Sequence, residues 1–178
     1  DPNFNTTNNT LLTFACSIGD IDSVKTLIQN ELTDVNLINS KTGNTALITS
    51  INDKKVEITK LLLQHPKIEL NTKNFEGDTA FIISIKTKQN EIAELIFNNE
   101  KFNADEDEIN CAFCLSSFGL AKKIISNKLF NTNYINNHET IVSNEKSTLI
   151  KILTLNDPSL FDLFHSHPSF NKKDKSVI

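Results

Sequence analysis

The chain has 178 residues, 38% of them hydrophobic, which suits one continuous core and leaves little room for two. Its 18 basic and 22 acidic residues are scattered and sum to −4, so no broad positive field gathers phosphates, and nucleic-acid binding is disfavoured. No apolar run approaches the roughly 18 to 20 residues that cross a bilayer, and the opening DPNFNTTNN lacks the basic and apolar regions of a signal peptide. That opening also lacks an initiator Met, and the expectation is a fragment of a longer protein. Three cysteines, an odd number in a chain that needs no staples, suit a reducing, cytoplasmic setting. The bias toward Asn, Ile, Lys and Phe resembles coding drift and carries no activity.

In chain order, the first feature is NTLLTFAC from Asn9, and the same pattern returns as NTALITSI from Asn44 and DTAFIISI from Asp78. Thr10, Thr45 and Thr79 are 35 and 34 residues apart, and STLIKIL (Ser147 to Leu153) puts Thr148 a further 69 residues on, about two periods. Three prolines repeat one setting, DPNFN, HPKIELN and HPSFN, at separations of 64 and 102 residues, or two and three periods. Within a period the apolar spacing is helical. Leu47, Ser50 and Ile51 mark one short helix, Val56, Thr59, Leu62 and Leu63 a second, and the two predict an antiparallel hairpin. Thr45 and Thr79 stand where a helix begins and can cap it, while Gly43 and Gly77 permit the turn before each cap. DVNLINSKTGN and ELNTKNFEGD read as polar, turn-rich fingers.

The motif G-x-T-A-L, a K-V-E-I-T-K-L-L-L helix and a D-V-N or E-L-N exit resembles the ankyrin repeat. Residues 9–103 carry the likeness specifically and the remainder carries it in degenerate form. The resemblance implies an all-α fold: an ankyrin-repeat solenoid of about five helix-turn-helix repeats with β-hairpin-like finger loops. It predicts one domain over 1–178, with repeats at about 1–36, 37–71, 72–105, a shortened 106–133, and 134–171 with a long loop at 131–147. The closing NKKDKSVI reads as the start of another repeat. Departures are clear: the usual Pro after the capping Thr is Leu11, Ala46 and Ala80, the usual His is Thr13, Ile48 and Ile82, and the inter-helix Gly, present as Gly19, becomes Lys54 and Lys88. They weaken local stability rather than the periodic core.

Cys111 and Cys114 have the spacing of half a zinc site or a redox pair, but no second pair accompanies them, and the core reading among Ala112, Phe113 and Leu115 is preferred. His165 and His167 form H-x-H, yet His167 falls in the register of His65, at the end of a helix, where a hydrogen-bonding His suits the carbonyl end. His138 lies in the long loop without an identifiable partner. Asp105, Glu106, Asp107 and Glu108 lack the spacing and glycine of a calcium loop and read as favouring a helix N-terminus. No catalytic residue, metal site or cofactor is expected.

The resemblance implies a concave, partner-binding face made of finger tips and the exposed side of the first helices. Carried over residue by residue, it selects Lys41, Thr42 and Asn44 on one finger and Phe75, Glu76 and Asp78 on the next. On the inner helices it selects Ser17 and Ile18, Asn52 and Asp53, and Lys86 and Thr87. Phe75 is either packed on the neighbouring finger or exposed as an anchor. The function expected is a non-catalytic, monomeric scaffold for a protein partner, without membrane insertion; the alternatives are a regulatory or targeting arm of a larger enzyme and, more remotely, a metal or redox protein.

Overall fold

The computed structural model describes residues 5–6, 9–115, 118–127, 129 and 158–166. Two compact units divide the chain, 1–103 and 104–178. The cysteine and acidic-run side chains at Cys114 and Asp107, the loop at 131–147 with His138, the STLIKIL segment, His167 and the closing NKKDKSVI lie outside the described residues.

The first unit opens with a minimal antiparallel ladder, β1 (Asn5–Thr6) and β2 (Asn9–Thr10), and continues as three helix pairs. These are α1 (Leu11–Ile18) with α2 (Ile21–Gln29), α3 (Ala46–Asn52) with α4 (Val56–Leu63), and α5 (Ala80–Lys86) with α6 (Asn90–Phe97). The first helices of the pairs form one row, α1 against α3 and α3 against α5, and the second helices form another, α2 against α4 and α4 against α6. Leu12, Leu47 and Phe81 hold one register position in the three pairs and are all essentially inaccessible to solvent. Each contributes about 1.5–3 kcal/mol of burial. Phe81 also meets Phe97 and Phe102, with ring centroids 5.7 and 4.8 Å away.

Each first helix of this unit begins at a capping threonine. The Oγ1 atoms of Thr10, Thr45 and Thr79 accept from the backbone N–H of Thr13, Ile48 and Ile82 at 3.0, 3.2 and 3.3 Å. The chain turns between helices through a left-handed residue, Gly19 at φ 86° in the first pair and Lys54 and Lys88 at 55° and 61° in the others. After α4, His65 Nδ1 accepts from the N–H of Lys67 at 3.2 Å, so this histidine closes the turn at the helix end.

Adjacent repeats are tied by asparagine at the exit of each second helix. Asn36 Nδ2 donates to the Lys67 carbonyl at 2.8 Å, and its Oδ1 accepts from the Glu69 N–H at 2.9 Å. One period later, Asn71 Oδ1 accepts from the Asn103 N–H at 3.2 Å. Lys101 Nζ reaches back to the carbonyls of His65 and Pro66 at 3.1 and 2.6 Å.

In the second unit, α7 (Glu106–Leu115) pairs with α8 (Phe118–Ile125), and α9 (Pro158–Ser166) packs on α8. Asp105 Oδ1 accepts from the Glu108 N–H at 2.7 Å, so the acidic run supplies an N-terminal cap to α7. Cys111 is half-buried on α7, Ala112 and Phe113 are buried beside it, and His165 is exposed on α9. Among the described residues, no three His, Cys, Asp or Glu side chains come together as a metal would require. No helix among them is long and apolar enough to cross a membrane.

Candidate functional site

The two fingers are built on matching asparagines. Asn39 Oδ1 accepts from the N–H groups of Lys41 and Thr42 at 2.8 and 3.0 Å, and Asn74 Oδ1 accepts from those of Glu76 and Asp78 at 3.0 and 2.9 Å. This folds each short segment back on itself, as an Asx turn does. Backbone bonds then close the hairpins, Asn39 N–H to the Asn44 carbonyl at 2.8 Å and Asn74 N–H to the Asp78 carbonyl at 2.9 Å.

The fingers lock to one another through Phe75. Its N–H donates to the Thr42 carbonyl at 3.0 Å, and Asn74 Nδ2 donates to Asn44 Oδ1 at 3.0 Å. The ring lies over Gly43, so closely that a β-carbon there would sit 2.6 Å from Phe75 Cδ1. Nevertheless Phe75 remains 65% exposed. It is packed against the neighbouring finger on one face and open to solvent on the other.

Between these fingers and the ends of α3 and α5 lies a groove of about 350 Å³. Lys41, Thr42 and Asn44 form one wall and Phe75, Glu76 and Asp78 the other; Asn52, Lys86 and Thr87 close it from the helices. Asp78 is buried and takes both hydrogen bonds of the pair from Lys86 Nζ, at 2.7 and 2.5 Å. Thr87 Oγ1 donates to the Ile83 carbonyl at 2.8 Å and accepts from Gln89 Nε2 at 2.7 Å, which fixes that end of the groove. Lys41 and Glu76 hold opposite charges exposed at the rim.

Three residues selected from the sequence lie elsewhere. Ser17 turns its hydroxyl back onto the Phe14 carbonyl at 2.9 Å, and Ile18 lines a separate groove on α1 and α2. Asp53 ends α3, exposed, with its charge felt by Cys16. Conversely, Asn74 and Ile83 line the finger groove without having been selected. Asn74 was detectable, since Asn39 and Asn74 both precede a finger glycine by three or four residues. Ile83 was not, because apolar residues fill five of the six positions of AFIISI and single out no one face.

A family model described as ankyrin repeats (3 copies) matches residues 12–110, more than half of the chain. The chain belongs to the ankyrin-repeat family. The likeness read from the TAL-type motif and its period is thereby borne out, as is the helical fold class. Ankyrin repeats are generally protein-interaction modules, and the family is typically non-catalytic. Among solved structures, the ankyrin chain is similar to a chain in the complex of the Bd0816 predatory endopeptidase from Bdellovibrio bacteriovorus with the immunity protein Bd3460. The match has a TM-score of 0.63 at 21% identity and covers 92% of this chain and 84% of that one. At that identity the likeness is one of fold. No curated protein matches the sequence.

Proposed function

We propose that this ankyrin chain is a non-catalytic scaffold that holds a protein partner in the groove between its two fingers. The observation that carries this reading is Phe75, an aromatic ring held at 65% exposure by two backbone-level locks to the preceding finger. A large apolar surface presented in a fixed orientation loses little entropy on binding, which is the property of an interface anchor. Around it, Lys41, Glu76, Asn44 and Asn52 offer polar groups of both signs, which suits selection of a partner by complementarity. The buried carboxylate, Asp78, is already engaged by Lys86, an arrangement suited to shaping the surface rather than to proton transfer.

The test compares wild type with Lys41→Ala/Phe75→Ala in affinity capture from the source cell, read by quantitative mass spectrometry. The expected outcome is a partner enriched on wild type and lost from the double variant, with thermal unfolding little changed. Capture that is indifferent to both substitutions would move the binding surface off the fingers.

A further inference from the structure

Each finger offers the same three groups to whatever follows it. In the first, the Thr42 carbonyl accepts from the Phe75 N–H at 3.0 Å, Asn44 Oδ1 accepts from Asn74 Nδ2 at 3.0 Å, and Gly43 supplies a bare Cα face beneath the Phe75 ring. In the second, Glu76, Gly77 and Asp78 stand in the register of Thr42, Gly43 and Asn44. Gly43 is buried under its ring, whereas Gly77 is exposed and a β-carbon on it meets nothing within 4 Å. Among the described residues, no N–H reaches the Glu76 carbonyl. Asp78 carries Lys86 Nζ on its two carboxylate oxygens, which have further lone pairs to offer.

The repeat that follows has no finger of its own at that place. Residues 37–45 separate Asn36 from α3 and residues 72–79 separate Asn71 from α5, but only 104–105 separate Asn103 from α7. The helices of that repeat, α7 and α8, keep 10 and 8 residues, so its shortening falls on the finger. A free carbonyl beside a bare glycine at the edge of a hairpin is a template for another chain. An occupant that continues the interface already made between the fingers needs what Asn74 and Phe75 bring to the first: a side-chain donor, then an aromatic residue, on an extended backbone. Charge adds one requirement. Glu76, exposed and without an ion pair among the described residues, replaces the neutral Thr42, so a cation beside the aromatic residue complements this edge.

We infer that the outer edge of the second finger is a docking site for an extended segment of a protein partner, one that carries asparagine, then an aromatic residue, then lysine or arginine. It lies outside the groove between the fingers and does not rest on that reading. The probe is a cyclic peptide presenting Asn-Phe-Lys, with Asn-Ala-Lys and Asn-Phe-Glu counterparts. Titrated into the isotope-labelled chain, the Asn-Phe-Lys peptide should shift the amides of Glu76, Gly77 and Asp78. Removing its ring should weaken binding about tenfold or more, and reversing its charge a few-fold, the latter effect shrinking with salt. Gly77→Asn tolerates the left-handed turn but puts a β-carbon where the ring must lie. It should weaken the Asn-Phe-Lys peptide about tenfold or more while the amide spectrum stays that of the folded chain. Lys41→Ala, at the rim of the groove, should leave this binding unchanged, so the two sites fail separately. Equal binding of the Asn-Phe-Lys and Asn-Ala-Lys peptides, indifference to Gly77→Asn, shifts confined to residues 41–52, or no binding would overturn the inference. So would Glu76 and Gly77 amides that move on Tyr134→Ala without peptide, which would give the edge to this chain's own Asn133 and Tyr134. Self-association in sedimentation that Gly77→Asn abolishes would likewise overturn it, giving the edge to a second copy.

Discussion

Gly43 and Gly77 occupy the same place in successive fingers, both with positive φ, at 73° and 83°. They differ in what surrounds them. A β-carbon on Gly77 meets nothing within 4 Å, while one on Gly43 collides with the Phe75 ring and, at 2.7 Å, with its backbone nitrogen. Gly77→Ala should therefore cost about 1 kcal/mol from the left-handed backbone alone. Gly43→Ala should cost more and shift the Phe75 ring resonances, and paired thermal unfolding of the two variants isolates the difference. The sequence marked both glycines as turn residues, but the collision depends on Phe75, 32 residues away, which local pattern does not reveal. Lys54 and Lys88 pose the converse case, since both hold positive φ without being glycine. Lys54→Gly and Lys88→Gly should each raise stability by up to about 1 kcal/mol in urea unfolding. Cys16 is an acid buried in the core, where burial and then the Asp53 charge push its thiol up to about 12 from an ordinary 9.0. The native state keeps a proton that the unfolded chain releases, so its contribution to stability is complete below pH 9 and falls as pH rises toward 12. The alkaline loss should be smaller in Cys16→Ala, and iodoacetamide should label Cys16 only after unfolding.

At the scale of the helix, the starts were legible because caps are local. Thr45 and Thr79 were read as caps from their place before an apolar run, and their hydroxyls accept from Ile48 and Ile82 as that position requires. Thr45→Ala should cost about 1 kcal/mol. The second helices are less uniform. Asp20 caps α2 by accepting from the Ser23 N–H at 3.1 Å, whereas Lys55 and Gln89, in the same register, give α4 and α6 no side-chain cap. Gln89 instead donates to the Ile51 carbonyl at 2.7 Å, joining its hairpin to the previous one. Lys55 instead lays its side chain against Gly19 of the previous hairpin, and Lys55→Asp should exchange that contact for a cap on α4, measurable as slower amide exchange at Ile58. The ion pair of Lys60 with Glu91 also joins neighbouring second helices, but both side chains are largely exposed, and it is worth at most about 1 kcal/mol.

Across the molecule, the first unit is a row of nearest neighbours, α1 with α3 and α3 with α5, so disturbance should fade with distance along the row. Phe81→Ala removes the ring shared with Phe97 and Phe102 and should cost about 3–5 kcal/mol. Hydrogen exchange should rise first in α5 and α6 and least in α1 and α2. The finger groove was largely legible for the same reason that the fold was: one period maps finger onto finger, so a position selected at Lys41 or Thr42 has its counterpart at Glu76 or nearby. That mapping fails at Ile18, which lines a groove on α1 and α2 rather than the gap between the two fingers. Periodicity assigns a position within a repeat; it does not say what stands beside that repeat.

The amide of Asn36 has a wider consequence. It grips the main chain at Lys67 and Glu69, and Asn71 grips the main chain at Asn103, so neither joint depends on which side chains stand at those places. At these two points the seam is read from the main chain, so changing the Lys67, Glu69 or Asn103 side chain should leave the grip in place, while the apolar rows of helices that complete each joint remain tied to their own side chains.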